Sequence, residues 1–186
     1  MSTKTQLLDR AEKLSRTRGF DGFSFADLAS DAGIRKASVH YHFPAKADLS
    51  AALIERYRIR FMTALKAISD TEERAGARLL ALVNLYRSAS EGGRSLCLCV
   101  ALSVTQSALP DTARSALSGF HRDVTGWLET VFRLAMSDGS IQAVTEPKDE
   151  AQAALAQVEG AQVMARAARD PARFEAAIAT LVRRVL

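Results

Sequence analysis

The chain contains few of the features on which several classes of protein depend. Only 2 of its 186 residues are cysteine and only 4 are proline, and no apolar run approaches the length of a membrane span. The first residues, Met1 to Lys4, lead into an amphipathic helical pattern and not into the apolar core of a signal peptide. We therefore expect a cytoplasmic protein.

The chain also lacks the usual signatures of an enzyme. It has no glycine-rich phosphate loop, no cluster of metal ligands and no convincing nucleophile with a base. The pair Cys97 and Cys99 has no neighbouring His or further Cys to complete a metal site. The three histidines, at positions 40, 42 and 121, are divided between two separate segments. We expect no catalytic residue, no cofactor and no bound metal.

Charge is concentrated at one end of the chain. Residues 1–60 contain 11 Lys and Arg against 7 Asp and Glu, whereas residues 61–186 contain 14 of each sign. The whole net charge of +4 therefore lies in the N-terminal third. This asymmetry is typical of a nucleic-acid-binding surface, although a solvated basic face gives the same pattern. Apolar residues make up 48% of the sequence, which is enough for a folded core.

Residues 24–46 have the pattern of a helix-turn-helix. Ser24 and Asp27 have the spacing of a capping box, which places the start of the first helix just after Ser24. Gly33 suits the left-handed position that ends a helix. Pro44 ends the second helix because it removes a backbone donor and disfavours helical geometry in the residue before it. The second helix is then only about two turns long.

This second helix has one polar face and one apolar edge. Val39 and Phe43, four positions apart, form the edge that packs inward, and Ala37 leaves room for close approach to another molecule. Lys46, just beyond the helix, is a further candidate for a phosphate contact. The polar face offers groups that bind phosphates or base edges: Arg35, Lys36, Ser38, Tyr41 and His42. A helical hairpin with a merely solvated surface is the alternative interpretation.

The residues of this segment resemble a known DNA-binding domain. The runs FADLASDAG at 25–33 and ASVHYHFPAKADL at 37–49 are similar to the DNA-binding domain of the TetR/AcrR family of transcriptional regulators, and the similarity covers residues 4–55. The family consists of all-α proteins. We accordingly expect a three-helix DNA-binding domain at residues 1–46 and a larger helical effector-binding and dimerisation domain at residues 47–186.

The resemblance also implies roles for individual residues. Those expected near bases are Arg35, Lys36, Ala37 and Ser38. Those expected at phosphates are Ser24, His40, Tyr41, His42 and Lys46. His40 departs from the family pattern because tyrosine is usual at this position, and the adjacent Tyr41 is a candidate to replace it. An exposed His40 would make phosphate affinity depend on pH near neutrality.

Beyond Pro44 the chain has helical periodicity throughout and no convincing strand. One long helix is indicated by apolar positions from Leu49 to Ile68. Further helices are expected over residues 79–92, 96–109, 111–138, 147–169 and after Pro171. No linker or low-complexity segment interrupts them.

The last two helical segments have apolar positions that alternate by 3 and 4 residues. We assign this stripe to a homodimer interface built as a four-helix bundle, which the family resemblance also implies. Its members are Ala151, Ala154, Val158, Ala161, Ala165, Phe174, Ile178, Leu181 and Val185. The alternative is that both helices pack only within one chain. Dimerisation places two recognition helices about 34 Å apart, which suits a palindromic operator in double-stranded DNA.

The larger domain has polar or reactive side chains among apolar neighbours. We expect an effector pocket drawn from Asn84, Tyr86, Cys97, Cys99, Ser103, Gln106, His121, Trp127 and Gln157. The favoured interpretation is a repressor that an unknown small-molecule effector releases from DNA. Its repressor character rests on the resemblance alone.

Two alternatives remain open. Residues i and i+2 of a helix point about 200° apart, so only one of Cys97 and Cys99 faces a pocket. A helix N-terminus and the nearby Arg94 would favour its thiolate and make the protein a sensor of electrophiles or oxidants. Buried, unreactive thiols are the plainer interpretation. The other alternative is a DNA-binding protein that senses nothing.

Overall fold

The structure is a computed structural model that describes residues 2–104 and 109–186. Besides its α-helices, the described part of the chain contains a 3₁₀ turn at Phe20–Gly22 and an isolated β-bridge between Ile141 and Val185. The helices are α1 Thr3–Arg18, α2 Phe25–Ala32, α3 Lys36–His42, α4 Lys46–Thr71, α5 Ala75–Ala89, α6 Leu98–Ser103, α7 Asp111–Asp138, α8 Pro147–Ala168 and α9 Ala172–Val182. The predicted all-α fold is confirmed.

The chain divides into two compact units. Unit 1 contains Met1–Ile59 and Leu98–Phe120, and unit 2 contains Arg60–Cys97 and His121–Leu186. The chain crosses between the units three times, within α4, just before α6 and within α7, so neither unit is a single continuous segment.

Unit 1 is built around α1. This helix buries one face, including Leu7 and Ala11, and it packs against α2, the 3₁₀ turn and α6. On its opposite flank, the guanidinium of Arg56 in α4 donates to Asp9 at 2.7 Å and to Glu12 at 2.9 Å. Glu12 is almost fully buried, so this ion pair fixes α1 to α4 at a desolvated position.

Unit 2 is a helical bundle in which α8 packs against both α9 and α5. The C-terminal residues are bonded to the first turn of α8: the guanidinium of Arg184 donates to both carboxylate oxygens of Glu150, at 2.7 and 2.9 Å. Close by, Gly76 lies so near Val185 and Ser140 that a Cβ atom there would stand 2.7 Å from the Val185 side chain. The chain therefore needs glycine at position 76.

Two predicted helix boundaries differ in the structure. The helix expected over residues 79–92 ends at Ala89, because Glu91, Gly92 and Gly93 have positive φ angles of 48°, 68° and 82° and cannot continue an α-helix. The helix expected from Leu96 begins at Leu98 and is described as far as Ser103. Residues 105–108 lie outside the described residues.

Candidate nucleic-acid interface and effector site

The start of the helix-turn-helix is fixed by the predicted capping box. The Asp27 backbone N–H donates to Ser24 Oγ at 3.2 Å, and the Ser24 backbone N–H donates to the Asp27 carboxylate at 2.7 Å. The hydroxyl of Ser24 also donates to that carboxylate at 2.6 Å, and these hydrogen bonds hold the pKa of Asp27 below its usual value. Gly33 ends α2 at φ 67°, in the left-handed region, as predicted. Local chemistry alone therefore positions α2 and the turn.

The recognition helix α3 presents its polar residues outward. Val39 and Phe43 form its buried edge, with 0% and 2% of their surface exposed. Arg35, at the N-cap, and Lys36 are exposed, and neither is paired with a carboxylate in the described residues. Tyr41 is 84% exposed, which is unusual for so large an aromatic side chain. The helix thus offers two unpaired cations and an uncovered ring.

The remaining predicted contacts lie at the C-terminal end of α3. His40 is exposed, its Nδ1 is 3.3 Å from the Pro44 carbonyl oxygen, and its ring stands 5.0 Å from that of Phe25. The rings of Tyr41 and His42 pack edge to face at 5.1 Å. Ala37 is exposed, whereas Ser38 and His42 are half-buried. Apart from Ser38 and His42, every residue of α3 and its N-cap that is predicted to contact DNA is therefore exposed.

Lys46 differs from the other predicted contacts because its ammonium group is already engaged. Its Nζ donates to the backbone carbonyl oxygens of Phe20 at 2.6 Å and Phe23 at 2.5 Å. Burial lowers its pKa, while the carboxylates of Asp21 and Asp27 oppose that effect. Lys46 also lines an open groove of about 640 Å³ together with residues of the capping box and His40.

In unit 2 the structure brings together three of the predicted pocket residues. Tyr86 is fully buried and its hydroxyl donates to Glu159 at 3.4 Å. His121 Nε2 is 3.4 Å from the same carboxylate, whose hydrogen bond raises the pKa of the imidazole against the opposing effect of burial. The backbone N–H of Cys97 donates to the side chain of Gln162 at 2.8 Å. Charge on the Cys97 thiolate would raise the pKa of His121 further.

Sequence reasoning missed Glu159 and Gln162, which organise this polar cluster. Gln162 is fully buried among the alanines and valines of α8, and Glu159 is half-buried at the edge of that stripe. The sequence signal for such a residue is a polar side chain at a position that helical periodicity predicts to be buried, because a buried polar group must find hydrogen-bonding partners. Gln162 has two such partners: its Oε1 accepts from the Cys97 N–H, and its Nε2 donates to the Tyr86 carbonyl oxygen at 2.5 Å.

The other predicted pocket residues have separate local partners. Trp127 Nε1 donates to Ser69 Oγ at 2.8 Å, and Gln157 Nε2 donates to the Ala177 carbonyl oxygen at 2.7 Å. Asn84 is exposed and accepts from Arg87, and Ser103 donates to the Cys99 carbonyl oxygen at 2.8 Å. Cys99 itself is buried, as is Cys97. Gln106 lies outside the described residues.

The residues predicted for the dimer interface require correction. The ninth, Val185, is half-buried against Gly76. The other eight are at most 3% exposed in the single chain: Ala151, Ala154, Val158, Ala161, Ala165, Phe174, Ile178 and Leu181. Their 3 and 4 spacing identifies a seam, but the seam is filled by helices of the same chain. A second stripe with the same spacing lies on the exposed side of α8: Ala153, Ala156, Gly160, Val163 and Ala167.

Comparison with known families is decisive for the class of protein. Residues 7–53 match the family described as bacterial regulatory proteins, tetR family, and residues 75–181 match the tetracyclin repressor-like C-terminal domain. The chain belongs to the TetR family. It is a DNA-binding transcriptional regulator, as the resemblance of residues 25–49 implies, and TetR regulators bind DNA and act as dimers.

Individual TetR relatives cover nearly the whole chain. The HTH-type transcriptional repressor NemR of Escherichia coli is 28% identical over 180 residues, which are 95% of this chain and 90% of that protein. The transcriptional regulator AcuR of Cereibacter sphaeroides is 30% identical over 152 residues, which are 80% of this chain and 69% of that protein. Both are named as regulators of transcription.

Solved structures give the same answer. A TetR-family regulator from Agrobacterium tumefaciens superposes with a TM-score of 0.91 at 27% identity, covering 98% of this chain and 96% of the other. The reduced form of Escherichia coli NemR superposes with a TM-score of 0.86 at 28% identity, covering 99% of this chain and 97% of the other. Among the described residues, no helix is both long enough and apolar enough to cross a membrane.

Proposed function

We propose that this TetR regulator is a homodimeric repressor that reads a palindromic operator with α3 and is released from it by a small-molecule effector. The observation that carries the proposal is the exposure of three side chains on α3 and its N-cap: Arg35, Lys36 and Tyr41. Exposed cations that have no carboxylate partner among the described residues are the groups that bind phosphates and guanine edges. We also propose that the DNA-binding domain ends at Lys46 and that the effector-binding and dimerisation domain follows it.

Within this proposal the residues of α3 divide between bases and backbone. Arg35, Lys36, Ala37 and Ser38 lie in the first turn of α3 or at its cap, the part of a recognition helix that contacts base edges. Phosphate contacts fall to Ser24, His40, Tyr41 and His42. The hydroxyl of Ser24 is already donated to Asp27, so its contact to phosphate is made with the N-terminus of α2.

Selection of binding sites from random duplex DNA tests the proposed DNA target. The purified full-length chain is expected to enrich a palindrome whose half-sites are about one helical turn apart. An Arg35→Ala/Tyr41→Ala variant is expected to enrich nothing, whereas Arg122→Ala, which removes an exposed cation of α7, is expected to enrich the same palindrome. An enriched site without two-fold symmetry would contradict the dimeric reading of DNA.

We place the dimer contact on the exposed stripe of α8. Ala153, Ala156 and Gly160 are small enough to allow close approach of a partner helix, and Val163 and Met164 are exposed apolar side chains, at 37% and 56%. A Cβ atom at Gly160 meets nothing within 4 Å in the single chain. Gly160→Leu is therefore expected to halve the mass in solution and leave helix content unchanged, and Gly126→Leu, equally open on α7, is the matched control.

The polar cluster around Glu159 is the proposed centre of the effector response. Tyr86 of α5 and His121 of α7 both contact Glu159, and Gln162 lies three positions further along α8. The single tryptophan, Trp127, belongs to the same unit and provides an intrinsic fluorescence signal for screening. A compound that changes this signal and lowers operator affinity identifies an effector. A library with no such compound supports a regulator that senses nothing.

A second candidate is a thiol-based response through Cys97. Its backbone is held by Gln162, its thiol interacts electrostatically with His121, and the E. coli relative NemR has a solved reduced form. Cys97→Ser and Cys99→Ser are compared for operator release by an electrophile such as N-ethylmaleimide. The candidate predicts that Cys97→Ser alone abolishes release. Full release in both variants would leave the reversible effector as the explanation.

A further inference from the structure

We propose that Lys46 is a positioning residue of the DNA-binding unit and not a phosphate ligand. Its ammonium group joins the segment before the helix-turn-helix to the helix that follows it. The family resemblance implies a phosphate contact at this position, and the geometry points elsewhere. The inference deepens the proposed reading of DNA and rests on that function for its DNA-binding arm.

The first observation is the number of groups that surround the Lys46 ammonium. Two of its three N–H donors are used by the carbonyl oxygens of Phe20 and Phe23, at 2.6 and 2.5 Å. Its Nζ also stands 4.8 Å and 4.7 Å from the centres of the two phenylalanine rings, within the range of cation–π attraction. Both rings are buried, at 2% and 3% exposed, so this arrangement is part of the core.

The second observation is electrostatic. Lys46 is the first residue of α4, where the positive end of the helix dipole disfavours a cation, and Asp48 supplies the usual acidic residue of the first turn. Asp21 and Asp27 both act on the Lys46 ammonium and line the same groove. These two carboxylates offset the charge of the Lys46 ammonium and make it a weaker ligand for a phosphate.

The third observation is where the joined segments lie in the chain. Phe20 and Phe23 lie in the four residues before Ser24, which caps α2, and Lys46 follows the loop that ends α3. The contact therefore closes residues 24–45 into a loop whose two ends are held together. Without it, the α2–α3 pair would keep its internal geometry but lose a fixed orientation on α1 and α4.

The test compares Lys46→Met with Lys36→Met, which removes an exposed cation from the recognition helix. Each full-length variant is measured for its melting temperature and for its affinity to a mixed-sequence duplex and to the duplex enriched from the random pool, over a series of KCl concentrations. Loss of a phosphate ligand reduces the magnitude of the slope of log affinity against log salt by about 0.9 per chain, or about 1.8 for a bound dimer. Loss of a positioning residue lowers affinity without changing the slope.

For Lys46→Met we expect a melting temperature lower by about 4 °C or more and weaker operator binding at an unchanged salt slope. Lys46→Arg, which keeps a cation able to donate to two carbonyls, is expected to recover at least half of both losses. Lys36→Met, which removes a proposed base contact, is expected to have the melting temperature of wild type and to bind the enriched duplex more weakly. An unchanged melting temperature together with a reduced slope in Lys46→Met would overturn the proposal.

A second measurement uses the unaltered protein and does not depend on the variants folding. Nuclear magnetic resonance of lysine side-chain ¹⁵N groups is expected to show a slowly exchanging Lys46 ammonium in the free protein, with a shift that duplex DNA does not change. A Lys46 signal that becomes protected only with DNA would refute the proposal. If no duplex binds wild type, the proposed function fails, while the melting and ammonium measurements still decide the role of Lys46.

Discussion

The side chain of Gln162 and the backbone of Cys97 are joined by a buried hydrogen bond of 2.8 Å. The same amide donates to the Tyr86 carbonyl oxygen, so one fully buried side chain of α8 holds both the end of α5 and the segment before α6. This side chain therefore connects the Cys97 backbone and the end of α5 directly to α8, the helix that we propose as the dimer contact.

Gln162→Leu tests this bridge. The substitution removes the side-chain acceptor of the buried Cys97 N–H and one of two donors to the Tyr86 carbonyl oxygen, which we expect to lower the free energy of unfolding by about 2 kcal/mol. Gln152→Leu, on the exposed side of the same helix, is expected to change it by less than about 0.5 kcal/mol. Urea denaturation measures both. Equal effects of the two substitutions would show that the bridge does not stabilise the unit.

The pair formed by His121 and Glu159 predicts a pH dependence of stability. Because the pKa of His121 is raised in the folded chain, its stabilising contribution is complete below the unfolded-state value and is lost as pH rises through the folded value. We expect the stability difference between wild type and His121→Asn to be larger in mildly acidic than in alkaline buffer, by about 1 kcal/mol at most. Glu159→Gln should remove the same component. A difference independent of pH would exclude the ion pair as its source.

The Arg56 ion pair in unit 1 is expected to matter more than an exposed pair. Arg56→Met deprives the nearly buried carboxylate of Glu12 of its guanidinium, which we expect to cost about 3 kcal/mol. Arg10→Met removes the pair with Asp31, in which both side chains are 46% exposed, and is expected to cost under about 1 kcal/mol. Thermal unfolding of the two variants checks the order, and a larger loss in Arg10→Met would reverse it.

Two glycines of unit 2 are predicted to respond in opposite directions to alanine. At Gly76 a Cβ atom would stand 2.8 Å from the Ser140 carbonyl oxygen, and we expect Gly76→Ala to cost about 2 kcal/mol. At Gly126, inside α7, the Cβ meets nothing within 4 Å. Gly126→Ala is expected to stabilise the chain by about 0.5–1 kcal/mol through helix propensity. Denaturant midpoints decide the sign in each case.

The DNA-binding segment was the part most accessible from sequence, because its structure follows from local rules. A capping box, a left-handed glycine and a proline act within a few residues of themselves, and the structure has α2 and its turn where Ser24 and Gly33 indicate. The exposure of the α3 face follows in the same way, since burial of Val39 and Phe43 turns Arg35 and Tyr41 outward.

Contacts between distant residues were not accessible in this way. The spacing of Ala151 and Val158 indicates a buried seam, but a seam within a chain and a seam between chains have the same spacing. The partners of Glu159 lie 38 and 73 positions away, and those of Lys46 lie 23 and 26 positions away. Sequence periodicity identifies which face is buried and carries no information about what buries it.

The central claim is that two copies of α3 read one operator, and a quantitative titration of the enriched duplex tests it most directly. We predict that wild type saturates the duplex at two chains, and that Arg35→Ala/Tyr41→Ala, equal to wild type in melting temperature, binds at least about 100-fold more weakly. Binding of the variant with wild-type affinity would contradict the account, because the operator would then be read by another surface of the chain.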